Sequence, residues 1–412
     1  MHSGTNLPAI GGYNQAVVLD AIRRAPDGVS RVEIAASTGL SAQTITNASR
    51  RLLTEGLVEE AGTTAGQIGK PRTLLRLRAQ GRYAIGVQLD PSVITTVLLD
   101  LAGGVVEHAR ALAPVDPMAA IATIVDSVGD LLARSGVARD RLLGVGVATP
   151  GPIDAERGIV LNPPLMPGWH DVPLRDLLIE RLGLPVLFEK DVTAAAVGER
   201  WTDPDGAGRA FAFFYYGTGT GMGLVVDGEV LRGASGNAGD SGHLLVGGTT
   251  ECSCGRRGCL GNTVLPWRLV GDARGPESEA EAADVLARFA ALAARADAGD
   301  RGARAVLDEA ADGIATALVT VVNLLDLDHV VFGGPFWHPV SSYLLDRVPD
   351  AVRASPALVS VRELSFAESA LGEDVAAVGA ACLVLDHALS PRPSSLLIPP
   401  ASAGLDLDSV TS

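Results

Sequence analysis

Tyr83-Ala-Ile-Gly-Val-Gln-Leu89, Ile94-Thr-Thr-Val-Leu-Leu-Asp-Leu101 and Val105-Val-Glu-His-Ala-Arg-Ala-Leu112 follow one another with only a few residues between them. Each is a short run rich in β-branched and apolar residues, and Pro91 and Gly103-Gly104 punctuate them, which is the pattern of consecutive strands joined by turns. A helix is expected near Met118 to Arg134, then a strand at Leu142 to Ala148, a helix at Leu174 to Arg181, a strand at Pro185 to Phe188 and a helix at Val192 to Trp201. This alternation predicts α/β organisation. Strands at Arg209 to Tyr216 and Met222 to Val226 begin a second set, long Ala-rich helices occupy much of 278 to 325, and a strand covers His329 to Phe332. Two lobes of similar construction are implied.

Upstream of residue 80 the pattern differs. Val17 to Ile22 has helical apolar spacing, Val32, Ile34 and Ala35 begin a second helix, and Thr38-Gly39-Leu40-Ser41 reads as a tight turn. Ser41 can cap a third helix with Ile45, Leu52 and Leu53 turned inward and Gln43, Thr44, Thr46, Asn47 and Arg50 outward. From Gly62 to Leu77 the chain reads as a hairpin with a basic tip at Lys70 and Arg72. Three helices and a wing form a winged helix-turn-helix over residues 12–80. Such a fold lays its second helix of the pair in the major groove of DNA, where Ser41, Gln43, Thr44, Thr46, Asn47, Arg50 and Arg51 are the candidates for base edges and phosphates, with Lys70 and Arg72 on the backbone. The competing reading is a helical dimerisation module whose polar face is merely solvated.

At 412 residues the chain holds two or three folding units. Its net charge of -15 counts against a nucleic-acid partner until it is divided: residues 1–80 hold nine Lys and Arg against six Asp and Glu, so the excess negative charge all lies beyond them. No apolar run approaches the ~18 residues of a membrane span, and the first twenty residues lack the features of a secretion signal, so a soluble, cytoplasmic protein without membrane contact is expected. The final residues, 390–412, are rich in Pro and Ser and are expected to form a flexible tail.

Three of the four cysteines, Cys252, Cys254 and Cys259, fall within eight residues, and His243 precedes them. Together they offer the four soft or borderline ligands of a closed structural Zn2+ site, and Gly255 and Gly258 allow the tight fold that convergence needs. The alternative is a set of buried thiols. Gly217-Thr-Gly-Thr-Gly-Met-Gly223 sits between two strands and suits either an anion-binding loop or a plain Gly-rich hairpin. Asp191 opens a helix after a strand, where a carboxylate caps the helix or takes a hydroxyl proton.

Ala148-Thr-Pro-Gly-Pro152, Asn162 to Trp169, Glu189-Lys-Asp191, Gly217 to Gly223, Gly239-Asp-Ser-Gly-His243, the cysteine loop and the N-terminal helix-turn-helix make residues 12 to 390 resemble the ROK family, named for repressors, open reading frames and kinases. The resemblance implies an α/β actin-like two-lobed sugar-kinase fold behind the winged helix-turn-helix, with lobe 1 at 81–200 and lobe 2, bearing the zinc loop and dimerisation helices, at 201–389. It also implies a sugar site in the cleft, for which Gly151, Asn162, Lys190, Asp191, Asp240 and His243 are the matching positions.

Kinase members begin their first hairpin with Asp-x-Gly-Gly-Thr, which here reads Gln88-Leu-Asp90-Pro91-Ser92. The glycines are gone and proline removes an amide, so phosphate is not wrapped and Asp191 is left as a vestigial base. The sugar positions also depart from the family: Lys190 replaces an amide, Asp240 a glutamate, and Gly261 a glutamate after the last cysteine. These changes favour an anionic, carbohydrate-derived ligand over a neutral hexose. The sequence is thus read as a non-enzymatic, homodimeric or larger DNA-binding regulator, a repressor by resemblance, acting on an inverted-repeat operator. An ATP-dependent sugar kinase and a ligand-independent regulator with a scaffold domain are the rivals.

Overall fold

The computed structural model describes residues 7–63, 71–202, 209–359 and 361–390, in two compact units. One runs to Gly81 and includes the residues from His387; the other is Arg82–Asp386. Lys70, Gly66 and Gly69 at the wing tip, and the tail beyond residue 390, lie outside the described residues.

In the first unit, α1 (Leu7–Arg23), β1 (Val29–Ser30), α2 (Arg31–Thr38), α3 (Ala42–Thr54), β2 (Val58–Thr63) and β3 (Thr73–Leu77) enclose Val18, Ile22, Ile34, Ile45, Leu52 and Leu75. The strands are ordered β1-β3-β2. Local chemistry sets each boundary. Ser30 and Glu33 form a reciprocal capping box at the start of α2, and Gly39, in a left-handed conformation at φ 70°, ends it. Ser41 Oγ then accepts the Thr44 amide at 3.2 Å and starts α3. The predicted turn between the two helices is therefore the one observed.

The second unit holds two five-stranded sheets among the described residues. The first comprises β4 (Tyr83–Leu89), β5 (Val93–Asp100), β6 (Val105–Leu112), β7 (Leu142–Thr149) and β10 (Val186–Lys190), in the order β10-β7-β4-β5-β6. The first three strands are antiparallel, whereas β7 and β10 run parallel to β4. Helices α4 (Pro117–Ser135) and α5 (Leu174–Leu182) bury Ile121, Ile124, Val128, Leu131, Leu174 and Leu178 against one face. The short β8 (Ile153–Asp154) and β9 (Ile159–Val160) form a ribbon beside it.

After α6 (Asp191–Thr202) the plan repeats. β11 (Phe211–Tyr216), β12 (Thr220–Val226), β13 (Glu229–Val230), β14 (His329–Gly333) and β15 (Ser365–Glu368) are ordered β13-β12-β11-β14-β15, again with three antiparallel and then two parallel neighbours. Between β13 and β14 come α7 (Leu260–Val264), α8 (Pro266–Leu269), α9 (Glu279–Asp297) and α10 (Arg301–Leu325), and α11 (Ser341–Ala354) precedes β15. Phe214, Tyr216, Phe289, Leu307, Ile314, Leu318 and Phe332 share one core. The 313–325 run is part of α10, and no described helix is long and apolar enough to cross a membrane.

The last helix, α12 (Val375–Leu389), requires a correction to the expected lobe 2 of 201–389. It lies against the first sheet: a Cβ on Gly86 would stand 1.9 Å from the Ala377 carbonyl oxygen, and one on Gly146 1.8 Å from that of Ala380. A Cβ on Gly379 would likewise stand 1.9 Å from the Ala194 carbonyl oxygen of α6. Only glycine at these positions lets helix and sheet backbones approach so nearly. The chain therefore ends by crossing back to the lobe where the unit began.

Candidate functional site

His243, Cys252, Cys254 and Cys259 converge as the sequence predicts, their ligating atoms all within 4.8 Å of one another. A zinc ion about 2.3 Å from sulfur and about 2.0 Å from nitrogen would set S···S and N···S edges of about 3.8 and 3.5 Å. The observed edges are 3.6 Å between Cys254 and Cys259 Sγ, and 3.5 Å between Cys252 Sγ and His243 Nδ1. The donor set and its spacing therefore fit a metal ion. Backbone bonds from Cys252 to Arg256 and from Gly255 to Cys252 fold the loop, while Leu260 and Gly261 donate to Leu244 and Gly242 and fasten α7 to the His243 segment. The Cys254 amide, above all, lowers the Cys252 thiol to about 6, whereas burial pushes Cys259 up to about 12. A bound dication would favour the thiolate form at both.

The cleft residues are placed by strand ends. β10 delivers Glu189 and Lys190, both at least nine-tenths buried, and Asp191 begins α6 with its carboxylate accepting the Val192 amide at 2.7 Å. Glu189 and Lys190 do not pair with each other. Glu189 Oε2 accepts Arg232 Nε at 2.5 Å, and Lys190 Nζ lies 3.9 Å from Asp240 Oδ2. Gly151 packs on this lysine, where a Cβ would be 3.0 Å from Lys190 Cε. Asn237 grips the first lobe by accepting the Ile153 amide at 2.8 Å and donating to its carbonyl at 2.6 Å. Asn162 is exposed and makes no side-chain hydrogen bond among the described residues, so it is not joined to the cluster; Asp240 and His243 are likewise exposed.

At position 190 this geometry weighs against the expected anion preference. Lys190 is flanked by Asp240 and stabilises Asp191 as an anion, and Arg232 is committed to Glu189, so the positive charge added at position 190 is matched from within. Asp191 is raised from 3.8 to about 6, first by burial and also by Asp90 and Asp240, against the lowering effects of Lys190 and the Val192 amide. Because its folded value is the higher one, the folded state holds the proton more tightly, and this stabilisation is lost as pH rises from about 4 through 6. The melting-temperature advantage of Asp191→Asn over wild type should accordingly grow between pH 4 and 6 and level off by pH 7.5, by a few degrees. A difference that does not vary with pH would contradict this assignment.

The loop after β4 is closed on itself. The Asp90 amide donates to the Val93 carbonyl at 3.0 Å, Pro91 has no N–H, and the Ser92 amide and hydroxyl donate to Asp90 Oδ1 at 3.1 and 2.9 Å. No amide from 90 to 92 is left for a phosphate. Across the cleft, the glycines of 217–223 divide by role. Gly217 and Gly219 form the β11–β12 turn, whereas Gly221 and Gly223 are strand positions on which α6 packs, a Cβ on Gly223 falling 2.2 Å from the Val192 carbonyl oxygen. Half of the apparent anion loop is thus a helix-packing surface.

On α3 of the first unit, Ser41, Gln43, Asn47, Arg50 and Arg51 are exposed, and Thr44 and Thr46 are half-buried. Most other arginines of this unit pair with carboxylates: Arg23 and Arg24 with Asp20, Arg31 with Glu60, Arg76 with Glu59. Arg50 and Arg51 pair with none among the described residues, and Arg72 is exposed at the start of β3's approach.

Residues 84–387 match the model of the ROK family, about three quarters of the chain. The chain belongs to the ROK family. It is 26% identical over 373 residues to the xylose repressor of Caldicellulosiruptor bescii, covering 88% of this chain and 93% of the repressor. It is 28% identical to the glucokinase of Halalkalibacterium halodurans, covering 74% of this chain and 95% of that enzyme. The crystal structure of a ROK family transcriptional regulator, a homologue of Escherichia coli Mlc, superposes with a TM-score of 0.72 at 21% identity over 92% of this chain and 98% of that one. The ROK chain therefore has the two-lobed fold of these relatives.

Sequence reasoning missed Arg232 and Asn237, which lie in this ROK chain's Leu231–Asn237 loop and act across the cleft. Nothing in their spacing announces a partner more than forty residues away. It also missed Tyr215, which reads as one more apolar strand residue until its hydroxyl is seen to accept from Gln88 Nε2 at 2.8 Å.

Proposed function

We propose that this ROK protein is a DNA-binding transcriptional repressor whose two-lobed unit no longer uses ATP and responds to a small polar, carbohydrate-derived effector. The observation that carries the proposal is the self-closed loop at Asp90–Val93, which leaves no amide for a phosphoryl donor. Support comes from the exposed, unpaired Arg50 and Arg51 on a capped α3, and from a match to a repressor that extends further along this chain than the match to a glucokinase. Two copies would present two heads to an inverted repeat. His243, Cys252, Cys254 and Cys259 would hold a structural Zn2+, which cross-links the loop to α7 and leaves no open coordination position. Binding in the cleft alters DNA affinity only if the effector prefers one lobe arrangement over another.

The test is selection of genomic fragments by the purified protein, followed by release with sugars and their phosphates. Enrichment of a site with two-fold symmetry, released by one sugar class, is the expected result; no preference over random DNA would overturn the reading. A second reading, a regulator that ignores ligands, draws on the internal pairing of Glu189 with Arg232 and Lys190 with Asp240. It requires that no sugar raises the melting temperature. For glucose, N-acetylglucosamine or mannose with ATP and magnesium we expect no ADP release above background. Turnover abolished by Asp191→Asn would instead establish a kinase.

A further inference from the structure

We propose that the two lobes are latched to each other from within, through Gln88–Tyr215 and Asp90–Thr218 hydrogen bonds. Gln88 Nε2 donates to Tyr215 Oη at 2.8 Å, joining β4 to β11, the central strands of the two sheets. Thr218 Oγ1 donates to Asp90 Oδ1 at 3.4 Å, joining the two loops that follow those strands. All four residues are more than nine-tenths buried.

Each partner is held in place from its own lobe. Asp90 is oriented by the Ser92 amide and hydroxyl, and the Thr218 carbonyl accepts Trp267 Nε1 at 3.3 Å. Donor and acceptor are therefore presented at fixed positions, and little side-chain freedom is lost when the bonds form. The cavity these residues border is about 180 Å³, below the roughly 300 Å³ at which small-molecule sites begin. The same position in the hairpin at which kinase members carry the signature aspartate is thus occupied by an amide that bonds the other lobe. Closure here is set by the protein's own side chains.

Opening would hydrate all four groups, so the latch is reversible, each bond biasing the closed state by about fivefold. Hydrogen exchange reads that bias even when the open state is rare. In Tyr215→Phe/Thr218→Val, both changes lie in the second lobe and nearly preserve shape. Exchange should nevertheless accelerate in the first lobe, at the amides of 86–90, 92 and 93, and at the Ile153 amide, which donates to Asn237 of the second lobe. About 25-fold acceleration is expected if the two bonds act independently, with the amides of α1 to α3 unchanged. Acceleration confined to residues 213–220 would mean local loosening and would overturn the latch, as would no change at 86–93 and Ile153 in a variant with native circular dichroism. Should the double variant not fold, Thr218→Val alone is expected to give about fivefold at the same amides, and no change there would equally overturn it. Because no DNA or effector enters the experiment, its failure would leave the regulatory reading standing.

Discussion

Cys254→Ser is expected to weaken metal binding and lower the melting temperature of the second unit by about 5–10 °C, while leaving the helices of the head intact. A bound ion would stabilise by closing a loop whose regular structure is two isolated bridges, Leu245 to Cys259 and Glu251 to Arg257, and by tethering α7 to the His243 segment. Structural zinc sites contribute directly to folding free energy, and for a domain of 150–250 residues each kcal/mol moves the midpoint by roughly 2–4 °C. With three ligands remaining, the loss is expected to be a few kcal/mol and not the whole binding energy. Cys382→Ser is the control, since that thiol is buried in α12 and outside the cluster. Elemental analysis and calorimetry decide the matter: full stability in protein that holds no stoichiometric metal would remove zinc from the account.

Arg50→Ala should reduce affinity for the selected operator by roughly 10- to 100-fold and relax preference at one base position, and Asn47→Ala should behave alike. A bidentate contact to a base edge discriminates by about 1–3 kcal/mol, which is that range. Asn47 enters with its Oδ1 accepting Gln43 Nε2 at 3.3 Å, so both amides are held in one orientation on the exposed face of α3. Arg72→Ala differs in kind: affinity should fall similarly for all sequences, and the slope of log affinity against log salt should lessen by about one. Titrations at several salt concentrations separate the two patterns. If Arg50→Ala lowered specific and random binding equally, α3 would have no role in reading sequence.

What could be read from the sequence was what depends on near neighbours. The capping of α3 by Ser41, the strands β4 to β6 and the cysteine loop are each specified within about twenty residues, and each was found where the spacing put it. Helices α11 and α12 were not foreseen. Pro349 interrupts the apolar pattern of one, and the other is apolar nearly all round because it is buried between a sheet and α6, which erases the one-sided periodicity. The cleft was legible only as a set of residue types. Lys190 looked like surplus positive charge because its neutraliser, Asp240, comes fifty residues later and from the other lobe, and Glu189 found its partner in Arg232 by the same route.

The return of α12 to the first sheet has a consequence for how the protein is made. Translation releases the head's helices first, and α1 to α3 with β1 to β3 share the core of Val18, Ile22, Ile34, Ile45, Leu52 and Leu75. β4 and β7, synthesised soon after, keep one face bare until residues 375–389 have left the ribosome. For most of its synthesis the nascent chain therefore carries an unfinished first lobe, whose apolar strands are the kind of surface that associates before folding is complete. A premature stop anywhere before α12 leaves the first lobe without the element that completes it.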